Sequence, residues 1–422
     1  MEPADQTWIP RRALDVVEQS LAAFRVVVLH GARQTGKTTL ARHFAERHNA
    51  AYVTLDRTDI ADAMASDPVT YLSTSGTPLV IDEVQRVGEP LILAVKSAVD
   101  VNNRPGQYLL TGSTNFLTVP MIAETLAGRT DIVTLWPLSQ GELTGGDDDF
   151  VDRAFADAES LLTHQGPTPA RSAYFDALCL GGYPAAQGLG VRGRRRWFAR
   201  YVQTVLQREI AVAADIRRAD ALMEMVRYFA ATTAQELVLN TVAQRLGIDR
   251  STVNTYEPWL ETVFLVHRLP AWSRNLTAKV VKRPKLYIAD TGIAANLLAK
   301  DASALQRVND PASGALFETF VVNEIAKQCT WCETPVRMFH FRDSDGAEVD
   351  LVLEADDGRI LAIEFKASTT PRSDDFRWLT LLRDRLDKVG GQFIAGFVLH
   401  TGTARLRFGD RMIALPAADV WT

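Results

Sequence analysis

The chain is expected to be an α/β protein built from three modules, and three observations carry that expectation. Residues 31–38 read Gly-Ala-Arg-Gln-Thr-Gly-Lys-Thr between a β-branched apolar run and an amphipathic stretch, which is a strand, a glycine loop and a helix in succession. The next part, to about residue 290, is mostly helical by periodicity. The end of the chain returns to strand signals, with two alternating apolar runs joined at Asp357-Gly358. The expected boundaries are 1–145, 146–290 and 291–422. A length of 422 residues accommodates that number of domains.

Arg25-Val26-Val27-Val28-Leu29-His30 supplies the first strand, and Thr39-Leu40-Ala41-Arg42-His43-Phe44-Ala45 continues the first helix. The glycine, lysine and threonine spacing between them is that of a phosphate-binding loop. Gly31 and Gly36 admit backbone angles closed to other residues, so the N–H groups of Ala32, Arg33, Gln34, Thr35 and Thr39 can face phosphate oxygens. The helix N-terminus adds partial positive charge. Lys37 is expected to reach the β- and γ-phosphates, and the Thr38 hydroxyl to ligate Mg²⁺. The expected ligands are therefore ATP and Mg²⁺.

Further strand signals follow at 51–55, 78–83 and 107–113, with helical stretches such as 90–99 between them. Alternation of this kind predicts a parallel sheet covered on both faces, with functional residues at the carboxyl ends of its strands. Asp82 and Glu83 close an apolar strand about 45 residues after the loop. Asp82 is expected to hold Mg²⁺ and Glu83 to prepare the attacking water. Ser113 is a candidate sensor of the γ-phosphate and Asn115 a second one; an ordinary turn serine accounts for Ser113 equally well.

A net charge of −5 predicts no nucleic-acid partner by itself, although it averages over local asymmetry. Three cysteines exclude a disulfide scaffold. Cys329 and Cys332 form a lone C-x-x-C without the second pair that a zinc site wants, so reduced thiols are expected. The acidic start of the chain carries no apolar segment of a secretory signal, and no apolar run reaches membrane-spanning length. The expected location is cytoplasmic, with no membrane partner.

The loop, Leu79-Val80-Ile81-Asp82-Glu83-Val84-Gln85, Leu109-Leu110-Thr111-Gly112-Ser113, Leu126-Ala127-Gly128-Arg129, and Pro137-Leu138-Ser139 with Glu142 together resemble the bacterial and archaeal AAA-type ATP-binding proteins that carry a C-terminal domain of unknown function. Gly181-Gly182-Tyr183-Pro184 and Tyr287-Ile288-Ala289-Asp290-Thr291-Gly292 extend the resemblance over nearly the whole chain. It implies a P-loop AAA-type ATPase domain, and it is compatible with a homo-oligomer, since such relatives often form rings. Arg129 resembles the family's Gly-Arg position, where it would neutralise phosphate charge; a structural salt bridge is the competing role.

Asp147-Asp148-Asp149 reads as a solvated linker. Residues 191–200 form a basic cluster around Trp197-Phe198, either a phosphate contact or a charged helix face anchored by its aromatic pair. Asn240 is placed to cap a helix over 241–246, Gly247-Ile248-Asp249 to turn the chain, and Ser251 to cap a second helix through Leu260. Strands are expected at Val263–Val266 and Lys285–Ile288 with a basic connection between them. This is a helix-turn-helix with a wing. Between Arg245 and Lys285 the sequence has eight basic residues against three acidic ones, which points to an anionic partner, possible DNA. A plain packing module is the alternative. Arg250, Ser251, Asn254 and Glu257 lie on the expected recognition helix, where Pro258 is expected to introduce a kink.

In the last module the apolar pattern sets a hairpin register. Leu351 opposes Ile363, Leu353 opposes Leu361 and Val349 opposes Phe365, which brings Asp350 opposite Glu364 and makes one face wholly apolar. The other face carries Glu348, Asp350, Glu364 and Lys366, and adjacent carboxylates repel unless a cation lies between them. Asp350 followed by Glu364-Phe365-Lys366 resembles the PD-(D/E)xK nuclease fold, also called restriction-endonuclease-like. That resemblance implies metal binding by Asp350, Glu364 and the helical Glu318, with Lys366 activating water. Glu318 and Glu324 both fall on the apolar arc of their expected helix. Two whole-chain functions stay open: an ATPase coupled to DNA processing, and a nucleotide-dependent switch that binds DNA or protein and cuts nothing.

Overall fold

Val26, Val27, Val28 and Leu29 are completely buried because strand β1 (Val26–His30) runs inside a parallel sheet. The computed structural model of the protein describes residues 8–112, 125–210, 219–273, 283–307 and 310–422. β2 (Ala51–Thr54), β3 (Leu79–Asp82), β4 (Tyr108–Thr111) and β5 (Thr130–Thr134) complete this sheet in the order β2-β3-β4-β1-β5. All neighbouring pairs are parallel. Successive side chains point to opposite faces. Val26 and Val28 therefore join Leu79, Ile81 and Leu110 in one apolar layer beneath helix Glu89–Val101, while Val27 and Leu29 join Val80 and Leu109 in another beneath helices Arg12–Ala23 and Lys37–Arg47. Strand β5 was not signalled by the sequence pattern; its burial is incomplete.

The chain divides into two compact units, one of residues 1–138, 183–185 and 262–264, the other of 139–182, 186–261 and 265–422. No separate unit begins at 291. Helix Ala312–Gln328 explains this, because its polar side chains bond to residues on the far side of that boundary. Thr319 meets Thr233 at 2.9 Å, and Asn323 donates to the Ile288 carbonyl at 3.0 Å and meets His267 at 2.8 Å.

The second unit contains two sheets. β6 (Gln235–Glu236), β7 (Val266–Leu269) and β8 (Lys285–Ile288) form an antiparallel trio in the order β6-β8-β7. β9 (Val336–Arg342), β10 (Glu348–Ala355), β11 (Arg359–Lys366), β12 (Gln392–His400), β13 (Leu406–Gly409) and β14 (Met412–Pro416) form a mixed sheet in the order β13-β14-β12-β11-β10-β9. Leu351 opposes Ile363 and Leu353 opposes Leu361, as the apolar pattern requires. One expectation fails. The β10–β9 register shifts between Val349 and Val352, and Val349 packs with Val352, Ile360 and Ala362 instead of joining Leu351 and Leu353. A bulge of this kind rotates one part of a strand relative to the next.

The two helices expected on either side of Gly247-Ile248-Asp249 are Leu239–Leu246 and Arg250–Thr262. The first begins at Leu239, one residue before the expected Asn240 cap, and the second at Arg250, one residue before Ser251. Pro258 lies inside the second helix, which continues past it. The first strand starts at Val266, three residues later than expected. Much of the β7–β8 connection, including Arg274, Lys279 and Lys282, lies outside the described residues.

The acidic run at 147–149 is not a solvated linker. Asp148 is buried and accepts from the Ser139 hydroxyl and, at 3.2 Å, from the Gly141 N–H. Trp331 donates to its carbonyl at 3.1 Å. Burial, followed by the charge of Glu324, raises the Asp148 carboxyl from 3.8 to about 7. A carboxyl raised on folding holds its proton more tightly in the native state. Its contribution is fully present below pH 3.8 and is lost as pH rises through about 7. Asp148→Asn cannot ionise, so its stability relative to wild type is expected to improve between pH 4.5 and 7.5 by on the order of a few kcal/mol. Urea melts across that range check this; a difference independent of pH rules it out.

Candidate functional site

The carboxyl ends of β1, β3 and β4 meet at one edge of the first sheet, and side chains from all three converge there. The loop after β1 depends on close backbone approach. A Cβ on Gly31, whose φ is +153°, would lie 2.2 Å from the Leu135 carbonyl oxygen. Gly36 caps helix Lys37–Arg47 in the left-handed conformation, with φ 98° and no side-chain cap. The first-turn N–H groups of this helix are thereby left facing the loop, the arrangement that favours an anion. Lys37 is buried, and its Nζ donates to the carbonyls of Gly31 at 2.9 Å and Ala32 at 2.8 Å. Thr35 donates to the Ala32 carbonyl at 2.9 Å, whereas Arg33, Gln34 and Thr39 are exposed.

Asp82, at the end of β3, is 1% exposed and accepts from four hydroxyls. Thr38 donates at 3.1 Å, Tyr52 at 2.9 Å and Thr54 at 3.3 Å, and Thr111 makes a shorter contact. The Thr111 hydroxyl also receives the Glu83 N–H at 3.4 Å. Glu83 adopts the left-handed conformation, φ 61°, and its carboxylate accepts from the Gln85 amide. Burial, then the charge of Asp82, raises the Glu83 carboxyl above the ordinary range against the opposing Gln85 bond. His30 is lowered to about 4 by burial and by the charge of Lys37, so it is neutral beside the loop at pH 7.

Sequence reasoning missed several of these residues. Arg11 donates to the Thr35 carbonyl at 2.7 Å and the Trp136 carbonyl at 2.6 Å, tying the loop to the segment after β5. No motif marks it. Thr54 and Thr111 were visible only as polar residues at strand ends, and Tyr52 only as a residue inside β2. Ser113 and Asn115 lie outside the described residues. Arg129 does not join the loop. Its carbonyl accepts from the N–H of Val26, at the opposite end of β1, and its guanidinium grips Asp100, with one contact at 3.1 Å. Of its two expected roles the geometry favours the salt bridge. Ser139 and Glu142, part of the same motif series, form a reciprocal helix cap.

A second charged cluster lies in the second unit. Lys285, on β8, has a side chain only 3% exposed. Its Nζ lies 3.0 Å from Glu318, 2.9 Å from Glu348 and 3.0 Å from Asp350. Tyr287, two residues along the same strand, donates to Glu318 at 2.8 Å. The Phe365 N–H donates to Asp350 at 3.2 Å, and Lys366 pairs with Glu364 at 3.2 Å. Asp350, Glu318 and Glu348 thus surround Lys285, with Glu364 and Lys366 paired on the strand beside Asp350. Among the described residues no group of three or more His, Cys, Asp or Glu is arranged to hold a metal ion. The Lys285 ammonium stands among the carboxylates instead. Sequence reasoning counted Lys285 as part of the basic excess and so misplaced it.

The titration of the cluster follows the contacts. Burial pulls Lys285 down, but Asp350, Tyr287, Glu318 and Glu348 outweigh it and hold the ammonium well above 10.5. Burial also opposes ionisation of Asp350, yet Lys285 holds this carboxyl below its ordinary value. Burial and Asp350 push Glu318 up to about 7 despite Lys285. Burial and Asp350 raise Glu364 well above the carboxylate range.

The other sequence candidates divide. Phe198 is buried and Trp197 stacks on Tyr201 at 5.2 Å, so the aromatic pair is an anchor; Arg192, Arg196 and Arg200 are exposed, and Arg195 pairs with Asp301 at 3.3 Å. Glu257 is not on a free recognition surface. It is buried and paired with Arg268. Glu324 pairs with Lys327 and accepts the Gln140 N–H at 2.7 Å, a structural role. Cys179, Cys329 and Cys332 are free thiols. No helix among the described residues is long and apolar enough to cross a membrane.

Residues 23–144 match an AAA domain, 171–304 a domain of unknown function (DUF8612) and 313–420 a second domain of unknown function (DUF4143). Uncharacterized proteins of Mycobacterium bovis and Mycobacterium tuberculosis are each 27% identical over 420 residues, covering 98% of this chain and 84% of theirs. The Walker-type ATPase of Pyrococcus abyssi is 15% identical with a TM-score of 0.41, covering 69% of this chain and 96% of that one. The first unit carries a P-loop AAA-type ATPase fold, in which the parallel sheet presents the glycine loop. Because the Gly31 position is closed by the Leu135 carbonyl, Gly31→Ala is expected to displace the loop, lower stability by about 1–3 kcal/mol and abolish ATP binding. Thermal melts and nucleotide titration measure both; a variant that binds ATP normally would show that the close approach is dispensable.

Proposed function

We propose that the chain is a Mg²⁺-dependent ATPase whose nucleotide state governs its second unit. The convergence of Lys37, Thr38, Asp82 and Glu83 at the carboxyl edge of the first sheet carries this reading. Thr38 and Asp82 offer hard oxygen donors 3.1 Å apart, the chemistry that suits magnesium, and they are the residues that would hold it. The ion, when bound, would neutralise charge on the β- and γ-phosphates. Lys37 exchanges its two loop carbonyls for phosphate oxygens. Glu83, raised by burial and oriented through Thr111 and Gln85, accepts a proton from the attacking water. Glu83→Gln is expected to cut ATP turnover by roughly 100-fold or more while nucleotide binding persists, and Lys37→Ala to remove binding. Steady-state turnover and calorimetry separate the two; unchanged turnover in Glu83→Gln would withdraw the water-preparing role.

The second unit is read as the responding part, contacting DNA through its helix-turn-helix. Arg245 and Arg250 flank the turn and are exposed, as is Arg283 before β8. This supports phosphate contact. Between the two open functions, Lys285 within the carboxylate cluster favours the switch that cuts nothing. Replacing Arg245 and Arg250 with alanine is expected to weaken duplex DNA binding at low salt by about tenfold or more and to flatten its salt dependence. Fluorescence anisotropy tests this, and absence of binding by the wild type at low salt removes the DNA reading.

A further inference from the structure

We propose that Lys285 is the resident cation of the carboxylate cluster in the second unit, occupying the place that a divalent ion would take, so that this cluster binds no metal and needs none. The PD-(D/E)xK resemblance asks for a metal held by Glu318, Asp350 and Glu364, and the donor atoms do not fit that request. An ammonium has three N–H donors. Lys285 donates to Glu318 and Asp350, each at 3.0 Å, and its Nζ lies 2.9 Å from the Glu348 carboxylate.

Other donors engage the same carboxylates. Asp350 takes the Phe365 N–H at 3.2 Å, Glu318 takes the Tyr287 hydroxyl at 2.8 Å, and Glu364 takes Lys366 at 3.2 Å. The second oxygen of Glu348 lies 3.4 Å from Arg342. A magnesium ion needs oxygens at about 2.0–2.1 Å. The ammonium already fills the space between Glu318 and Asp350, and a second cation there would be repelled. The bulge in β10, between Val349 and Val352, falls at Asp350 and accompanies its turn toward Lys285.

The cation and the acids come from different parts of the chain. Lys285 lies within the segment that matches one domain of unknown function, whereas Glu318, Glu348 and Asp350 lie within the segment that matches the other. The cluster is therefore also a clasp between β8 and the large sheet within the second unit. The inference is independent of the nucleotide site, which lies in the first unit.

The test uses the full chain, free of nucleotide. Mn²⁺ is the probe, followed by electron paramagnetic resonance titration and by thermal melts in EDTA or in excess Mn²⁺. Wild type is expected to bind no Mn²⁺ at this cluster and to melt at the same temperature in both. Lys285→Met keeps the length and removes the charge. It is expected to melt roughly 10 °C lower in EDTA and to recover much of that loss in Mn²⁺, with the recovery absent when Asp350→Asn is added. Lys285→Arg, which keeps the charge, is expected to fold and ignore Mn²⁺. It carries the test if Lys285→Met cannot be recovered. Mn²⁺ binding by wild type that Asp350→Asn removes overturns the inference. So does a folded Lys285→Met protein that melts as wild type or gains nothing from Mn²⁺, and so does Mn²⁺ binding by Lys285→Arg.

Discussion

The first unit depends on one buried carboxylate. Asp82 gathers hydroxyls from helix Lys37–Arg47, from β2 and from β4, three elements that surround the end of its own strand. An ionised carboxylate out of water is costly unless its oxygens are fully bonded. Hydrogen bonds to a charged group contribute about 1.5–3 kcal/mol each, so four of them offset the burial and fix the distances among the strand ends. Sheet order makes this possible. β4 lies between β1 and β3, and Thr111 at its end reaches Asp82 on one side while its backbone neighbours the start of the glycine loop. The loop is held independently by Arg11, so the phosphate cradle and the carboxylate are positioned by separate contacts.

The second unit is organised by a helix that is not amphipathic. In Ala312–Gln328 nearly every position after Ala315 is buried, polar and apolar alike. A helix with partners all round belongs to an interior, and its polar residues must then be bonded. They are, and each bond reaches a different segment. Asn323 reaches β7 and β8, Glu324 the Gln140 N–H, and Gln328 the Val151 N–H at 3.2 Å and the Val420 carbonyl. Segments far apart in sequence are thereby tied to one rod, and the middle and last expected modules become one body.

Legibility in the sequence followed locality. The glycine loop and the Asp82-Glu83 strand end are set by short-range pattern, and the β10–β11 register by apolar alternation. What escaped required knowledge of a distant partner. Arg11 acts on carbonyls, which no side-chain motif announces. For Arg129 the sequence left two roles open, and its pairing with Asp100 agrees with the salt bridge. Asp148 read as solvated because three acids in a row usually are; a left-handed backbone at this residue, φ 52°, and the Ser139 hydroxyl fold it inward. Lys285 left a signal that went unused. It alternates with Tyr287 along a strand whose four residues are all buried, so both side chains project from one face. A lysine on a buried strand requires an acid, and the question of which acid leads to Glu318 and Asp350.

The two charged sites solve the same electrostatic problem with opposite consequences. Around Asp82 the compensating groups are neutral hydroxyls. A hydroxyl can rotate and serve as acceptor or donor, so a cation can enter while Thr38 turns its lone pairs toward it, and the net charge of the site changes in the favourable direction. Around Asp350 the compensating group is itself a full charge on a buried strand. An incoming cation there must expel the ammonium or share its carboxylates, and withdrawing Lys285 leaves an uncompensated acid cluster until another charge arrives. A site balanced by dipoles is ready for a ligand, whereas a site balanced by a tethered ion is already satisfied. That difference in the kind of counter-group, more than any difference in the acids themselves, distinguishes the glycine-loop site from the Lys285 cluster.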